Sequence, residues 1–217
     1  MTTYSRAVIF DFDGTIIDSN HAKEKAFIAV LTSVGVSESE ANTVRAASLS
    51  LDRFAFFDRF YRDFKTRLPA EVSAPRLAGK FSALCHQEIL QCKMIPGIQS
   101  FLEELQQNDI RLYVSSATPE KSLVPLLMEL NITRYFSGVY GGPSKKLTHI
   151  RKVQRDNHCE PSDITYFGDS DDDFEAAMQA GCNFVGVVID VGRFSVTPNI
   201  RIANFLDKRL SGVSRQT

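Results

Sequence analysis

Four short, largely apolar runs, Ala7–Phe10, Ile110–Val114, Ile164–Phe167 and Phe184–Val188, stand out from an otherwise mixed sequence. Runs of this length without a polar alternation predict strands buried on both faces, as in a parallel sheet. Apolar positions at helical spacing fill the stretches between them, and this alternation predicts a doubly wound α/β fold with a Rossmann-like parallel sheet.

Residues 18–92 break the alternation, because the whole segment reads as helical, with Phe54, Phe57, Tyr61 and Phe64 recurring on one face. The spacing predicts an α-helical cap at 18–92 inserted into an α/β core made of 1–17 and 93–217. The aromatic stripe Phe54, Phe56, Phe57, Phe60, Tyr61 and Phe64 is then either the core of that cap or an interface. Met94-Ile95-Pro96-Gly97 punctuates the return to the core, and Ile98–Leu105 predicts an amphipathic helix. Pro119 suits a first helical turn, where no intrahelical donor is lost, and the helix it opens is expected to reach about Leu130. Tyr135–Pro143, with Gly138, Gly141 and Gly142, reads as a turn-rich functional loop. No element is assigned after Asn199.

Composition narrows the classes of partner. In 217 residues, 43% are hydrophobic, enough for a sizeable core, and 25 basic against 26 acidic residues leave a formal net charge of -1. Without a basic patch there is no electrostatic footprint for nucleic acid or an anionic membrane, so a small-molecule partner is expected, with the protein a monomer or homodimer. Met1–Tyr4 leads straight into the first apolar run with no leader pattern, which predicts a cytoplasmic location. Cysteines 85, 92, 159 and 182 form no CxxC pair and read as buried or idle thiols rather than a disulfide framework or zinc site.

The chemistry concentrates at two strand ends. Asp11-Phe12-Asp13-Gly14-Thr15 follows the first run directly, so two carboxylates leave the carboxyl end of a strand together, where open α/β sheets bind ligands. One such carboxylate can attack phosphorus while the other shuttles a proton. Two turn-forming acids would give the same local pattern, since Asp-Gly is a common turn dipeptide. The third run ends in Gly168-Asp169-Ser170-Asp171-Asp172-Asp173, a burst of acids whose mutual repulsion a divalent cation would relieve. Alternatively, some of these acids simply favour a helix amino terminus.

Together these segments resemble the haloacid dehalogenase-like (HAD) phosphatases, whose DxDGT signature Asp11–Thr15 matches and whose late GDSxxD motif Gly168–Asp173 matches. The order of the two motifs and the helical segment between them are similar as well, over nearly the whole chain. The resemblance implies a Mg²⁺-dependent phosphomonoesterase acting on a small phosphorylated metabolite, a sugar phosphate or phosphoglycolate-like compound. Asp11 would be the nucleophile that becomes an aspartyl phosphate, and Asp13 the general acid and base. The phosphoryl group would be held by a strand-end hydroxyl, with Ser116 preferred to Ser115, by the neighbouring Ala117, and by an amine, with Lys146 preferred to Lys145. Mg²⁺ would be held by the Asp11 side chain, the Asp13 backbone carbonyl and Asp169, with Asp173 bound directly or behind them.

Three other classes share parts of this pattern. Dehalogenase relatives lack the second aspartate, which is present here as Asp13. Many sugar-phosphate mutases of the superfamily carry a His in the cap linker, where this chain has Lys23. A phospho-accepting signalling receiver also gathers Asp, Ser/Thr and Lys at strand ends, but it has no inserted helical segment. Arg45 and Arg53, inside that segment, are candidates for reading the leaving group.

Overall fold

The computed structural model describes residues 5–48, 51–189 and 194–212. Met1–Tyr4, read above for a leader, lie outside them. The chain divides into two compact units, one made of residues up to Asp18 together with those from Lys93 onward, the other of Ser19–Cys92.

The first unit is built on a six-stranded parallel sheet of order β3-β2-β1-β4-β5-β6. Its strands are β1 (Ala7–Phe10), β2 (Arg111–Pro119), β3 (Gly138–Gly142), β4 (Ile164–Gly168), β5 (Asn183–Val187) and β6 (Arg201–Ile202). The four apolar runs correspond to β1, β2, β4 and β5. β3 corrects the sequence reading, because it occupies the segment expected to be a loop. Gly138-Val-Tyr-Gly-Gly is a poor strand former by composition. Its glycines instead permit close approach, since a Cβ at Gly142 would lie 2.8 Å from the Ala117 carbonyl oxygen.

β1 is central, and the period of two along it sends its side chains to opposite layers. Ala7 and Ile9 pack with Ile150, Val153, Ala176 and Ala177 from α7 (Lys146–Asn157) and α8 (Asp171–Ala180). Phe10 faces the other way, stacked on Phe167 of β4 at 5.1 Å and edge-on to Phe101 of α5 (Ile98–Gln107) at 6.3 Å. Helices therefore cover both faces, as a sheet with continuous apolar strands requires. α6 (Glu120–Glu129) follows β2 with Pro119 as its N-cap.

After β1 the chain turns at Gly14, whose φ of 74° suits glycine, and Ile17 bridges to Met94 on the returning segment. Asp18, expected on the helical segment, belongs to the first unit: its N–H donates to the Lys93 carbonyl at 2.9 Å.

The second unit contains α1 (Asn20–Thr32), α2 (Glu38–Ala46), α3 (Arg53–Phe64) and α4 (Ala74–Ile89). Asp52 caps α3 by accepting from the N–H groups of Phe54 and Ala55. Phe27, Phe56, Phe57 and Phe81 interlock at its centre, with Phe27 and Phe81 centroids 4.0 Å apart. Burying each ring contributes about 1.5–3 kcal/mol. Phe56, Phe57 and Phe60 of the stripe are thus core, Tyr61 and Phe64 are half-buried, and Phe54 remains half exposed. Among the described residues no helix is long and apolar enough to cross a membrane, and all four cysteines are free thiols.

Candidate active site

The strand order reverses direction at β1 and β4, and such a switch point opens a crevice at the carboxyl ends of the strands. Asp11 leaves β1 there, with its N–H donating to the Phe167 carbonyl at 2.8 Å. Asp169 follows β4, Ser116 lies just past the last regular pair of β2, Ser115 with Tyr140, and Lys146 opens α7 after β3. Four segments far apart in sequence therefore meet because the sheet topology brings their ends together.

Asp11, Asp169 and Asp173 are all buried, and each offers a carboxylate oxygen within 4.8 Å of the others. Lys146 Nζ stands 2.6 Å from Asp173 Oδ1 and 3.4 Å from Asp11 Oδ1, with the exposed Asp172 at 3.6 Å. Ser170 Oγ donates to the second oxygen of Asp173 at 2.6 Å. Gly168 makes room for this arrangement, because a Cβ there would overlap the Asp173 side chain.

The electrostatics follow from this burial. Asp11 is pushed well above the usual carboxylate range by desolvation, and Asp173, Asp169 and Asp13 add to the rise while Lys146 opposes it. For Lys146 burial disfavours the ammonium, but Asp11 and Asp173 outweigh it and raise its pKa well above the ordinary value. One ammonium against three buried carboxylates leaves uncompensated negative charge. A hard divalent cation fits this all-oxygen donor set, and its charge would remove the penalty on ionised Asp11.

The structure separates the paired candidates. Lys145 is exposed, whereas Lys146 is buried among the carboxylates. Ser115 Oγ is shared with His149 Nδ1 at 2.9 Å, while Ser116 Oγ accepts from the Thr118 N–H at 3.0 Å and keeps its own proton to donate. Ala117 is exposed beside them. The Asp13 carboxyl is directed to Thr118, whose hydroxyl lies 3.2 Å away. Arg45 and Arg53 are engaged inside the helical unit: Arg45 forms a bidentate pair with Glu24 over the Phe27 ring, and Arg53 contacts Ser82 over Phe81.

Sequence reasoning missed Thr118, His149 and Ser170. Only Ser170, lying inside the late acidic motif, carried a local signal. Tyr166 lies beneath the site, its hydroxyl donating to the Ser115 carbonyl at 3.4 Å, and burial with Asp173 nearby pushes its phenol well above the usual range.

A family model described as haloacid dehalogenase-like hydrolase matches residues 8–187. Phosphoglycolate phosphatase 1 of Pseudomonas aeruginosa is 29% identical over 192 residues, covering 83% of this chain and 68% of that protein. The phosphoglycolate phosphatase of Escherichia coli is 28% identical, covering 84% of this chain and 81% of its own. Among solved structures, a mutant of CbbY from Rhodobacter sphaeroides in complex with xylulose-1,5-bisphosphate superimposes with a TM-score of 0.76 at 17% identity, over 97% of this chain and all of that one.

Proposed function

The chain belongs to the haloacid dehalogenase-like hydrolase family and is a phosphatase, and we propose that it hydrolyses a small phosphomonoester through an aspartyl phosphate on Asp11, with Mg²⁺ as cofactor. The observation that carries this reading is the buried set Asp11, Asp169 and Asp173 around Lys146 at the sheet switch point.

Asp11, Asp169, Asp173 and the Asp13 carbonyl would hold Mg²⁺, which supplies positive charge to the carboxylates and the phosphoryl oxygens. The Asp11 carboxylate attacks phosphorus, the ester P–O bond breaks, and Asp13 donates its proton to the leaving oxygen. Asp13, now a carboxylate, takes a proton from water as that water attacks the aspartyl phosphate, releasing phosphate and restoring both side chains. Ser116, the Ala117 backbone and Lys146 bind the transferring group, whose chemistry depends mainly on positioning and charge neutralisation. The helical unit serves as the cap. A phosphoglycolate-like compound or a sugar phosphate is the substrate class; the first is what the curated relatives are named for.

The test is phosphate release from phosphoglycolate, sugar phosphates and nucleoside monophosphates, with Mg²⁺ and with EDTA, using Asp11→Asn as the blank. Release requiring both the metal and Asp11 is expected. Silence across the panel, or turnover by Asp11→Asn, would sink the reading.

A further inference from the structure

We propose that Thr118 is the positioning residue for the acid and base, its hydroxyl holding Oδ2 of the Asp13 carboxyl while its backbone N–H orients Ser116. The inference rests on the aspartyl-phosphate reading above and assigns a role to a residue outside its machinery. Thr118 is 3% exposed; its Oγ1 lies 3.2 Å from Asp13 Oδ2, and its N–H donates to Ser116 Oγ at 3.0 Å. One residue thus links the proton-transferring carboxyl to a phosphoryl-binding hydroxyl.

The sequence makes this hydroxyl rigid. Thr118 precedes Pro119, which excludes most helical backbone conformations and keeps Thr118 extended. Its β-branched side chain has few χ1 choices. The register between β2 and β3 shifts between Ser115 and Pro119, and Gly141 accepts the displaced strand, since a Cβ there would lie 2.6 Å from the Thr118 carbonyl oxygen. Backbone and rotamer are therefore both set before substrate arrives.

The hydroxyl donates to Oδ2 and so fixes the rotation of the Asp13 carboxyl about its Cβ–Cγ bond. Ser116, accepting from the Thr118 amide, has its own hydrogen turned away from that amide and available to a phosphoryl oxygen.

Leaving-group dependence tests the proposal. An aryl oxide such as p-nitrophenolate departs with little need of a proton, whereas an alkoxide needs one, and general acid catalysis contributes about 10²–10⁴-fold. Measurements of kcat/KM compare p-nitrophenyl phosphate with the fastest alkyl phosphate of the panel above, for the Mg²⁺-loaded parent, Thr118→Val, Thr118→Ser and Asp13→Asn. Thr118→Val is expected to lose about 10–100-fold on the alkyl ester and less than about 3-fold on the aryl ester, with KM little changed. Thr118→Ser, which keeps the hydroxyl, should recover most of the loss. Equal losses on both esters, or none, would overturn the positioning role. If Asp13→Asn itself fails to discriminate between the esters, the acid–base reading falls; if it discriminates and Thr118→Val does not, only the Thr118 assignment falls.

Discussion

Lys146 Nζ sits 2.6 Å from Asp173 Oδ1 in a buried pair, and the same ammonium reaches Asp11 at 3.4 Å. Removing one partner of a buried pair leaves an uncompensated charge, at a cost of about 3–5 kcal/mol. Lys146→Gln in EDTA is therefore expected to lower Tm by about 10 °C, with kcat/KM falling at least about 100-fold in Mg²⁺. Calorimetry and steady-state kinetics check both. An unchanged Tm would show that the carboxylates do not depend on the ammonium.

Asp11 predicts the opposite sign. Its folded pKa is raised above the ordinary 3.8, chiefly by burial, so in metal-free protein the ionised form weakens the fold. The folded state binds the proton more tightly, and stability is lost as pH rises from about 3.8 through the folded value. Asp11→Asn should consequently melt higher than the parent at pH 7 in EDTA, although it does not turn over. Mg²⁺ at about 100 times its Kd should stabilise the parent by about 2.7 kcal/mol and the variant by less. A variant that melts lower than the parent in EDTA would contradict the electrostatic account.

Gly168 tests the packing that holds Asp173. A Cβ there would overlap the Asp173 side chain, so Gly168→Ala must displace the carboxylate from Lys146 and Ser170. The expected cost is about 1–3 kcal/mol together with a large loss of kcat. Gly79, inside α4, is the control: no atom lies within 4 Å of an added Cβ, so Gly79→Ala should stabilise by about 0.5–1 kcal/mol. Denaturant unfolding and kinetics on the two variants separate overlap at the site from a general effect of adding a methyl group.

Much of the framework was legible because it is written locally. An apolar run delivering acids at its end, as at Phe10-Asp11 and Phe167-Gly168-Asp169, marks both strand and site in adjacent residues. β3 was not legible, because its glycines carry little strand preference, and Gly141 and Gly142 are explained only by the backbone at the end of β2 and the start of α6 packed against them. The Ser115 partner His149 and the Asp13 partner Thr118 are likewise created by the fold, across separations of 34 and 105 residues. No periodicity reports such a contact. What distinguishes the buried neighbours Ser115 and Ser116, a bond to His149 against one from the Thr118 amide, is created by the fold in the same way.

His149 supplies a pH dependence of its own. It is buried beside Ser115 and the Gly141 backbone, with Tyr140 near its ring and Lys146 and Glu120 facing it. Burial, followed by Lys146, lowers its pKa below the ordinary 6.5, outweighing Glu120 and the Gly141 backbone contact. The unfolded chain then binds the proton more tightly than the folded one. The contribution of a neutral His149 is complete above about pH 6.5 and is lost as pH falls from there through the folded value. His149→Asn keeps a polar group near the Nδ1 position and cannot titrate, although it gives up ring packing on Tyr140. The variant should start less stable at pH 7.5 and fall less steeply than the parent between pH 7 and 5, with the slopes differing by at most about 1.4 kcal/mol per pH unit. Unfolding free energies across that range in EDTA decide the matter: parallel curves would show that the buried imidazole tolerates its proton, and converging curves that the fold requires it neutral.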